Sequence, residues 1–395
     1  MDKFGIAFLI DLTMMIARRL FILNLLLGFT LNSFANNFEC EKKQKAEAKS
    51  IENHCVSLTN HFNSGINFYD KVSQIEYADI EIGHYFKSPD SKRNGLYGLI
   101  NISAGNIRKS PQHYSELVSQ ELMGTPIKVL NEKEGWYYIQ TPNGYTGWID
   151  GPGISLRTEE EMKELSKQTF GIFAKQYGQV YKSKDKLEVV SDIVLGDILN
   201  VNENLTSLYG VTLPDGRKGY VEKEGMISLL SIFYQSKVDM DEMIVLSKSL
   251  MGVSYLWGGK SSKGIDCSGF TSILYFFSGV ILQRDASQQF KHGETITVNE
   301  NVSNLKPGDL LFFGRKDSKN AREKVTHVGL YIGKGEFIHS SGFVHISKFY
   351  PHNQNLDNSG KTVFLGIKRI IGSIGSPGIQ RIEDNELYKY FLKSK

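Results

Sequence analysis

The chain has 395 residues and a formal charge of +3, with 41% of its residues hydrophobic and 23% charged. That length predicts three or four units, and the composition is that of a soluble globular protein. So small a charge gives no argument for a polyanionic partner, no stretch resembles a nucleic-acid motif, and no apolar run beyond the leader is long enough for a membrane span.

Residues 1–35 read as a secretory leader, with Arg18 and Arg19 as a basic start, Leu20 to Leu31 as an apolar core and Ser33-Phe34-Ala35 as a cleavage site after Ala35. The piece before it contains Asp11, which leaves Met14 and Met15 as alternative starts. The apolar core is short for a transmembrane anchor, and Cys40 follows no lipobox, so a soluble periplasmic protein is expected. Residues 36–95 begin with a Lys-, Glu- and Ala-rich run and are expected to form a small helical segment. Cys40 and Cys55 both fall there. Two cysteines in an oxidising compartment commonly pair, which leaves Cys267 as the odd thiol.

The chain then repeats itself. Glu116 to Asp150 aligns without a gap to Glu188 to Glu222, with Pro142-Asn143-Gly144 matching Pro214-Asp215-Gly216 and Gly147-Trp148-Ile149 matching Gly219-Tyr220-Val221. Alternating strands around such turns predict two small β-barrels, 96–158 and 159–230. Tyr145 of the first copy corresponds to Arg217 of the second, so the turn itself does not require a tyrosine.

After a link around Ser231 to Lys237, Asp239 to Met251 reads as a helix stopped by Gly252. Gly264-Ile265-Asp266 then leads into Cys267, and Phe270, Ile273, Leu274 and Phe277 follow at helical spacing. Cys267 therefore stands at a helix N-terminus, where Asp266 can cap the helix and the dipole favours a thiolate. A small buried cysteine without chemistry is the competing reading. Val325 to Ile332 and Glu336 to Ser341 read as strands joined by Gly333-Lys334-Gly335. A three-residue loop places His327 and His339 on one face, and a two-residue loop places them on opposite faces. Same-face imidazoles opposite the thiol would make a cysteine peptidase, one imidazole taking the proton and the other orienting it.

Asp266-Cys267-Ser268-Gly269-Phe270, His327-Val328-Gly329-Leu330-Tyr331 and Phe337-Ile338-His339-Ser340 together resemble the core of the NlpC/P60 cell-wall peptidases. Tyr255-Leu256-Trp257-Gly258-Gly259 and Arg284-Asp285-Ala286-Ser287-Gln288-Gln289 are similar to the branch that cleaves γ-D-glutamyl-L-diamino acid bonds and carries bacterial SH3 domains upstream. The resemblance implies an α+β chain, with a papain-like catalytic domain at 238–372 behind two SH3-like barrels. It implies Cys267, His327 and His339 as catalytic residues. Tyr145, Trp257, Asp266, Ser268 and Asp285 would contact substrate, with Asp285 and Tyr145 holding a free L-alanine amine. Ala286 stands where that branch often has serine. The implied partners are peptidoglycan-derived peptides, and the implied product is L-Ala-γ-D-Glu. No cofactor and no metal are expected, because a cysteine with two histidines falls short of the four close-spaced ligands of structural zinc.

His292, His345 and His352 lie outside the motifs and read as ordinary residues, and 373–395 reads as a closing tail. A wall-binding protein with an inactive domain, or an amidase or acyltransferase on the same fold, are the alternatives. The intact Cys267, His327 and His339 argue against the first. Asp285 with Tyr145 argues against the second.

Overall fold

The computed structural model describes residues 96–299, 302–316, 323–350 and 362–392. The expected leader, the helical segment and both Cys40 and Cys55 lie outside them. Among the described residues no helix is long and apolar enough to cross a membrane.

The first barrel holds β1 (Tyr97–Ile100), β2 (Gly105–Arg108), β3 (Leu117–Glu121), β4 (Pro126–Lys133), β5 (Trp136–Gln140), β6 (Thr146–Asp150) and β7 (Ile154–Arg157). Its order is β3-β2-β6-β5-β4-β1-β7. Along β5 and β6, Tyr137, Ile139, Gly147 and Ile149 point inward and their neighbours outward, the period-two pattern of a strand with one buried face.

Thr158 caps α1 (Glu159–Glu164), its hydroxyl accepting from Glu161 N–H while the Glu161 carboxylate accepts from Thr158 N–H. The second barrel follows as β8 (Phe170–Phe173), β9 (Tyr177–Tyr181), β10 (Val189–Val194), β11 (Ile198–Asn204), β12 (Leu208–Thr212), β13 (Lys218–Glu222) and β14 (Met226–Ser228). Its order, β10-β9-β13-β12-β11-β8-β14, reproduces that of the first. The repeated strands start at aligned residues, Leu117 with Val189, Pro126 with Ile198, Trp136 with Leu208 and Thr146 with Lys218. Asp197, fully buried, joins the barrels by accepting from Met123 N–H at 2.9 Å and Val194 N–H at 2.8 Å.

The link into the last domain starts as α2 (Leu229–Phe233), with Leu229, Ile232 and Phe233 buried. Then come α3 (Met240–Ser249), β15 (Lys260–Ser261), β16 (Gly264–Ile265), α4 (Cys267–Phe276), β17 (Val280–Leu282) and α5 (Ala286–Gln289). Strands β18 (Glu294–Ile296), β19 (Leu310–Lys316), β20 (Glu323–Gly333), β21 (Glu336–Ser341), β22 (Phe343–Lys348) and β23 (Val363–Arg369) form one antiparallel sheet, ordered β18-β23-β19-β20-β21-β22. All ten residues of α4 are buried, and Phe270, Ile273 and Leu274 share a core with Phe312, Val328, Leu330 and Ile338 of the sheet.

The closing tail is part of this core. β24 (Ile379–Arg381) pairs with β17, and Ile379, Ile382, Tyr388 and Phe391 are buried. Tyr388 packs on Phe233 and Phe276, Tyr390 on Tyr97, and Phe391 on Phe170 with ring centroids 4.6 Å apart. Its four spaced apolar residues give it surface to bury, at roughly 1.5–3 kcal/mol for each large side chain. Phe391→Ala should lower stability to chemical denaturation by about 3–5 kcal/mol, since it empties a closed aromatic contact. A change near zero would show that the tail contributes nothing to the core.

Candidate active site

Cys267 is the first residue of α4, where the backbone N–H has no partner within the helix. Asp266 caps the helix by accepting from Gly269 N–H at 2.7 Å, and its other oxygen accepts from Gly258 N–H at 3.0 Å. The glycines of the surrounding motifs allow close approach. A Cβ on Gly269 would stand 2.2 Å from the Gly259 carbonyl oxygen, and one on Gly259 would stand 2.3 Å from that of Gly264. The loop before Cys267 can thus lie directly on the helix end.

Arg284, 1% exposed, closes the layer beneath. It donates to both Asp266 oxygens at 3.1 and 2.7 Å, to Ser268 Oγ at 3.1 Å and to Ser119 Oγ of the first barrel at 2.8 Å. Ser268 Oγ in turn donates to Asp266 at 3.2 Å. The side chains of Asp266 and Ser268, expected to touch substrate, are therefore buried and turned to Arg284 and to one another. Gln289 is buried as well and receives a hydrogen bond from Thr271 Oγ1, tying α5 to α4.

The two histidines share a face through a device the sequence did not show. Gly333 pairs with Glu336, so the hairpin loop is the two-residue Lys334-Gly335, both at positive φ. A two-residue loop alone would set the imidazoles on opposite faces. A bulge between Tyr331 and Gly333 restores the parity, and Leu330 then pairs with Ile338. His327 Nε2 lies 2.7 Å from His339 Nδ1, and His339 Nε2 lies 3.0 Å from Ser347 Oγ. With Nε2 of His327 engaged, Nδ1 is the nitrogen left for the thiol. A His327 that accepts at Nδ1 carries its proton on Nε2 and donates to His339, which then donates from its own Nε2 to Ser347.

Burial disfavours every charge here. It pushes the Cys267 thiol up to about 12, Asp266 adding to the rise, while the backbone amides of Val328 and Ser268 and the Arg284 cation oppose it. It holds His327 down to about 4, with nearby His345 adding and Asp266 opposing, and His339 down to about 2. A thiolate alone or an imidazolium alone is costly at this place. Formed together by one proton transfer, the two charges attract each other.

Around Asp285, residues of two domains converge. Trp257 is 61% exposed and donates from Nε1 to Glu116 Oε1 at 3.2 Å, so it is an open surface ring rather than a core aromatic. Tyr145 is half-buried at the end of its turn. Burial first, then the Asp285 carboxylate, raise its phenol above the ordinary value, with Glu116 and Asp266 contributing. Arg284 is turned to Asp266, which leaves the Asp285 carboxylate without an ion-pair partner among the described residues. Burial raises that carboxyl too, Arg284 opposing.

Sequence reasoning missed Glu116, Ser347 and His345. His345 pairs with His339 across the hairpin, its ring 4.4 Å away, and is no ordinary surface residue. The diagonal neighbour rule, applied one strand further than the first hairpin, finds Ser347. Among the described residues no group of three or more His, Cys, Asp or Glu is arranged to hold a metal ion.

A thiol at a helix N-terminus served by a histidine pair on an antiparallel sheet is the arrangement of a cysteine hydrolase. Residues 252–358 match the NlpC/P60 family, and residues 103–155 match the bacterial SH3 domain. The chain thus carries a cysteine peptidase domain of the NlpC/P60 type with a bacterial SH3 domain upstream. The gamma-D-glutamyl-L-lysine dipeptidyl-peptidase of Bacillus cereus (strain ATCC 10987 / NRS 248) is 29% identical over 239 residues, 57% of this chain and 68% of that protein. Dipeptidyl-peptidase 6 of Lysinibacillus sphaericus is 28% identical over 253 residues, 62% of this chain and 88% of that one. A solved structure of an NlpC/P60 family protein from Bacillus cereus ATCC 10987 is similar with a TM-score of 0.58, at 22% identity over 69% of this chain and 99% of the other, a likeness of fold.

The imidazoles give a direct test. In Cys267→Ala, NMR titration of His327 and His339 should show both midpoints well below the ordinary histidine value of about 6.5. The unfolded chain takes up these protons near that value and the folded chain does not, so both histidines erode stability as pH falls from there toward 4. A midpoint near 6.5 for either ring would contradict their burial in the neutral form.

Proposed function

We propose that the enzyme hydrolyses the bond between γ-D-glutamate and a diamino acid in peptidoglycan-derived peptides, and that it requires a free N-terminal L-alanine. The observation that carries this reading is the Asp285 carboxylate, which stands at the N-cap of α5 without an ion-pair partner among the described residues, near Tyr145 and the Glu116 charge. An ammonium group is the ligand such a pocket lacks. A carboxylate already drawn from water discriminates strongly, because a capped substrate leaves it without a counter-charge. The name of the Bacillus cereus relative, gamma-D-glutamyl-L-lysine dipeptidyl-peptidase, points to the same bond.

In this reading Cys267 Sγ attacks the γ-carbonyl as His327 Nδ1 takes the thiol proton. The Nε2–H bond to His339 stabilises the imidazolium. The Cys267 backbone N–H at the helix end receives the developing oxyanion, a contribution worth about 3–4 kcal/mol where such donors have been removed. His327 returns the proton to the departing amine, and water then releases L-Ala-γ-D-Glu from the thioester. The leader read in the sequence makes a periplasmic role in wall turnover part of the proposal.

Mass spectrometry of products from L-Ala-γ-D-Glu-L-Lys, its diaminopimelate analogue and their N-acetylated forms tests it. Release of the dipeptide from the free peptides alone, and not by Cys267→Ala, is expected. Asp285→Asn should lower kcat/KM on the free peptides roughly 10- to 100-fold, as for the loss of a charged hydrogen bond, with little change on capped ones. Efficient cleavage of capped peptides by the unaltered enzyme would remove the amine requirement.

A further inference from the structure

The C-terminal segment reaches both halves of the amine pocket. β24 pairs with β17 in the register Val280 with Arg381, Ile281 with Gln380 and Leu282 with Ile379, and β17 runs straight on into Gln283, Arg284 and Asp285. A few residues beyond β24 stands Asn385, 4% exposed. Its Nδ2 donates to the Pro142 carbonyl at 2.8 Å and to Gln380 Oε1 at 2.9 Å. Its Oδ1 accepts from the backbone N–H groups of Leu387 at 3.0 Å and Tyr388 at 3.2 Å.

Pro142 belongs to the turn that ends in Tyr145. Thr141 and Tyr145 close that turn, Thr141 N–H donating to the Tyr145 carbonyl at 2.9 Å, and Asn143 Oδ1 accepts from Tyr145 N–H at 3.2 Å. Gln283 Nε2 faces the Asn143 carbonyl from the catalytic side at 3.5 Å. The two hydrogens of the Asn385 amide thus go to different bodies, one to the first barrel and one to the strand laid against β17. A buried amide with every donor and acceptor engaged holds one geometry.

We propose that the C-terminal segment is a clasp that sets the distance between Tyr145 and Asp285, with Asn385 as its positioning residue. The proposal rests on the reading of Tyr145 and Asp285 as the amine-binding pair. Those two groups come from separate domains, and a charge-assisted hydrogen bond to one ammonium tolerates little misplacement of either. The nucleophile and its histidines make no use of these contacts, so the clasp governs which peptide is held rather than how the bond is cut.

Asn385→Asp isolates the effect, because it keeps the oxygen that caps Leu387 and Tyr388 and loses both donated bonds. Amide hydrogen exchange at Gly144 and Tyr145 should quicken about fivefold, the scale of one lost hydrogen bond. KM for L-Ala-γ-D-Glu-L-Lys should rise by about the same factor with kcat changed less than about twofold, and preference over the N-acetylated peptide should fall in step. Alkylation of Cys267 by iodoacetamide should stay unchanged. Gln283→Ala should act in the same direction with an effect of about twofold, and it serves if the first variant does not fold. Unchanged exchange and unchanged KM in a folded variant would overturn the clasp. A wild-type enzyme that treats free and capped peptides alike would remove the pocket reading instead, and the exchange rates would still decide whether the tail holds the turn.

Discussion

The ion pair between Arg284 and Asp266 is the contact on which the site depends. Both side chains are withdrawn from water, a costly state that persists only when the geometry is good and the remaining donors and acceptors are satisfied. Here the guanidinium meets both carboxylate oxygens and two serine hydroxyls, and the carboxylate also accepts from two backbone amides. Removing either partner from such a pair typically costs about 3–5 kcal/mol, because it strands the other charge. Asp266 starts the helix of Cys267, Ser119 belongs to the first barrel, and Asp285 is the next residue after Arg284. One buried pair therefore fixes the helix end, the barrel and the start of α5 together.

The barrel is in this way a wall of the active site rather than a module on a tether. Lys260 pairs with Glu121 of β3 at 2.8 Å, and both are largely buried. The two copies of the repeat have diverged in use. In the first, the turn ends in Tyr145, half-buried and near Asp285. In the second, Arg217 at the matching position bends back to Asp215 and to the Val190 carbonyl, so its turn is closed on itself. The buried Asp197 of the second copy accepts from Met123 N–H and so ties the two copies together.

The site also shows how neutral resting groups can be kept ready for charge separation. Burial alone would leave Cys267 unreactive, and its rise toward 12 is the same desolvation that keeps His327 free of a proton. An unprotonated imidazole is the form that can accept from the thiol. The chain from His327 through His339 to Ser347 orients it through neutral groups.

Much of this was legible in the amino-acid sequence. Strand alternation and repeated turn residues are local properties, so the paired barrels, the helix beginning at Cys267 and the two histidine strands could be read directly. The relative placement of histidines was not, because a bulge depends on how two strands pair and not on either alone. Glu116 and Ser347 are ordinary residues until folding sets them beside Trp257 and His339. The packing of the closing tail was not legible, because its partners, Phe233, Phe276 and Phe170, lie far away along the chain. Local periodicity and turn chemistry determined the elements and the place of Cys267 at a helix end. Packing between domains decided what stands near Asp285, because Tyr145 and Asp285 come from separate domains and meet only when the common core has formed.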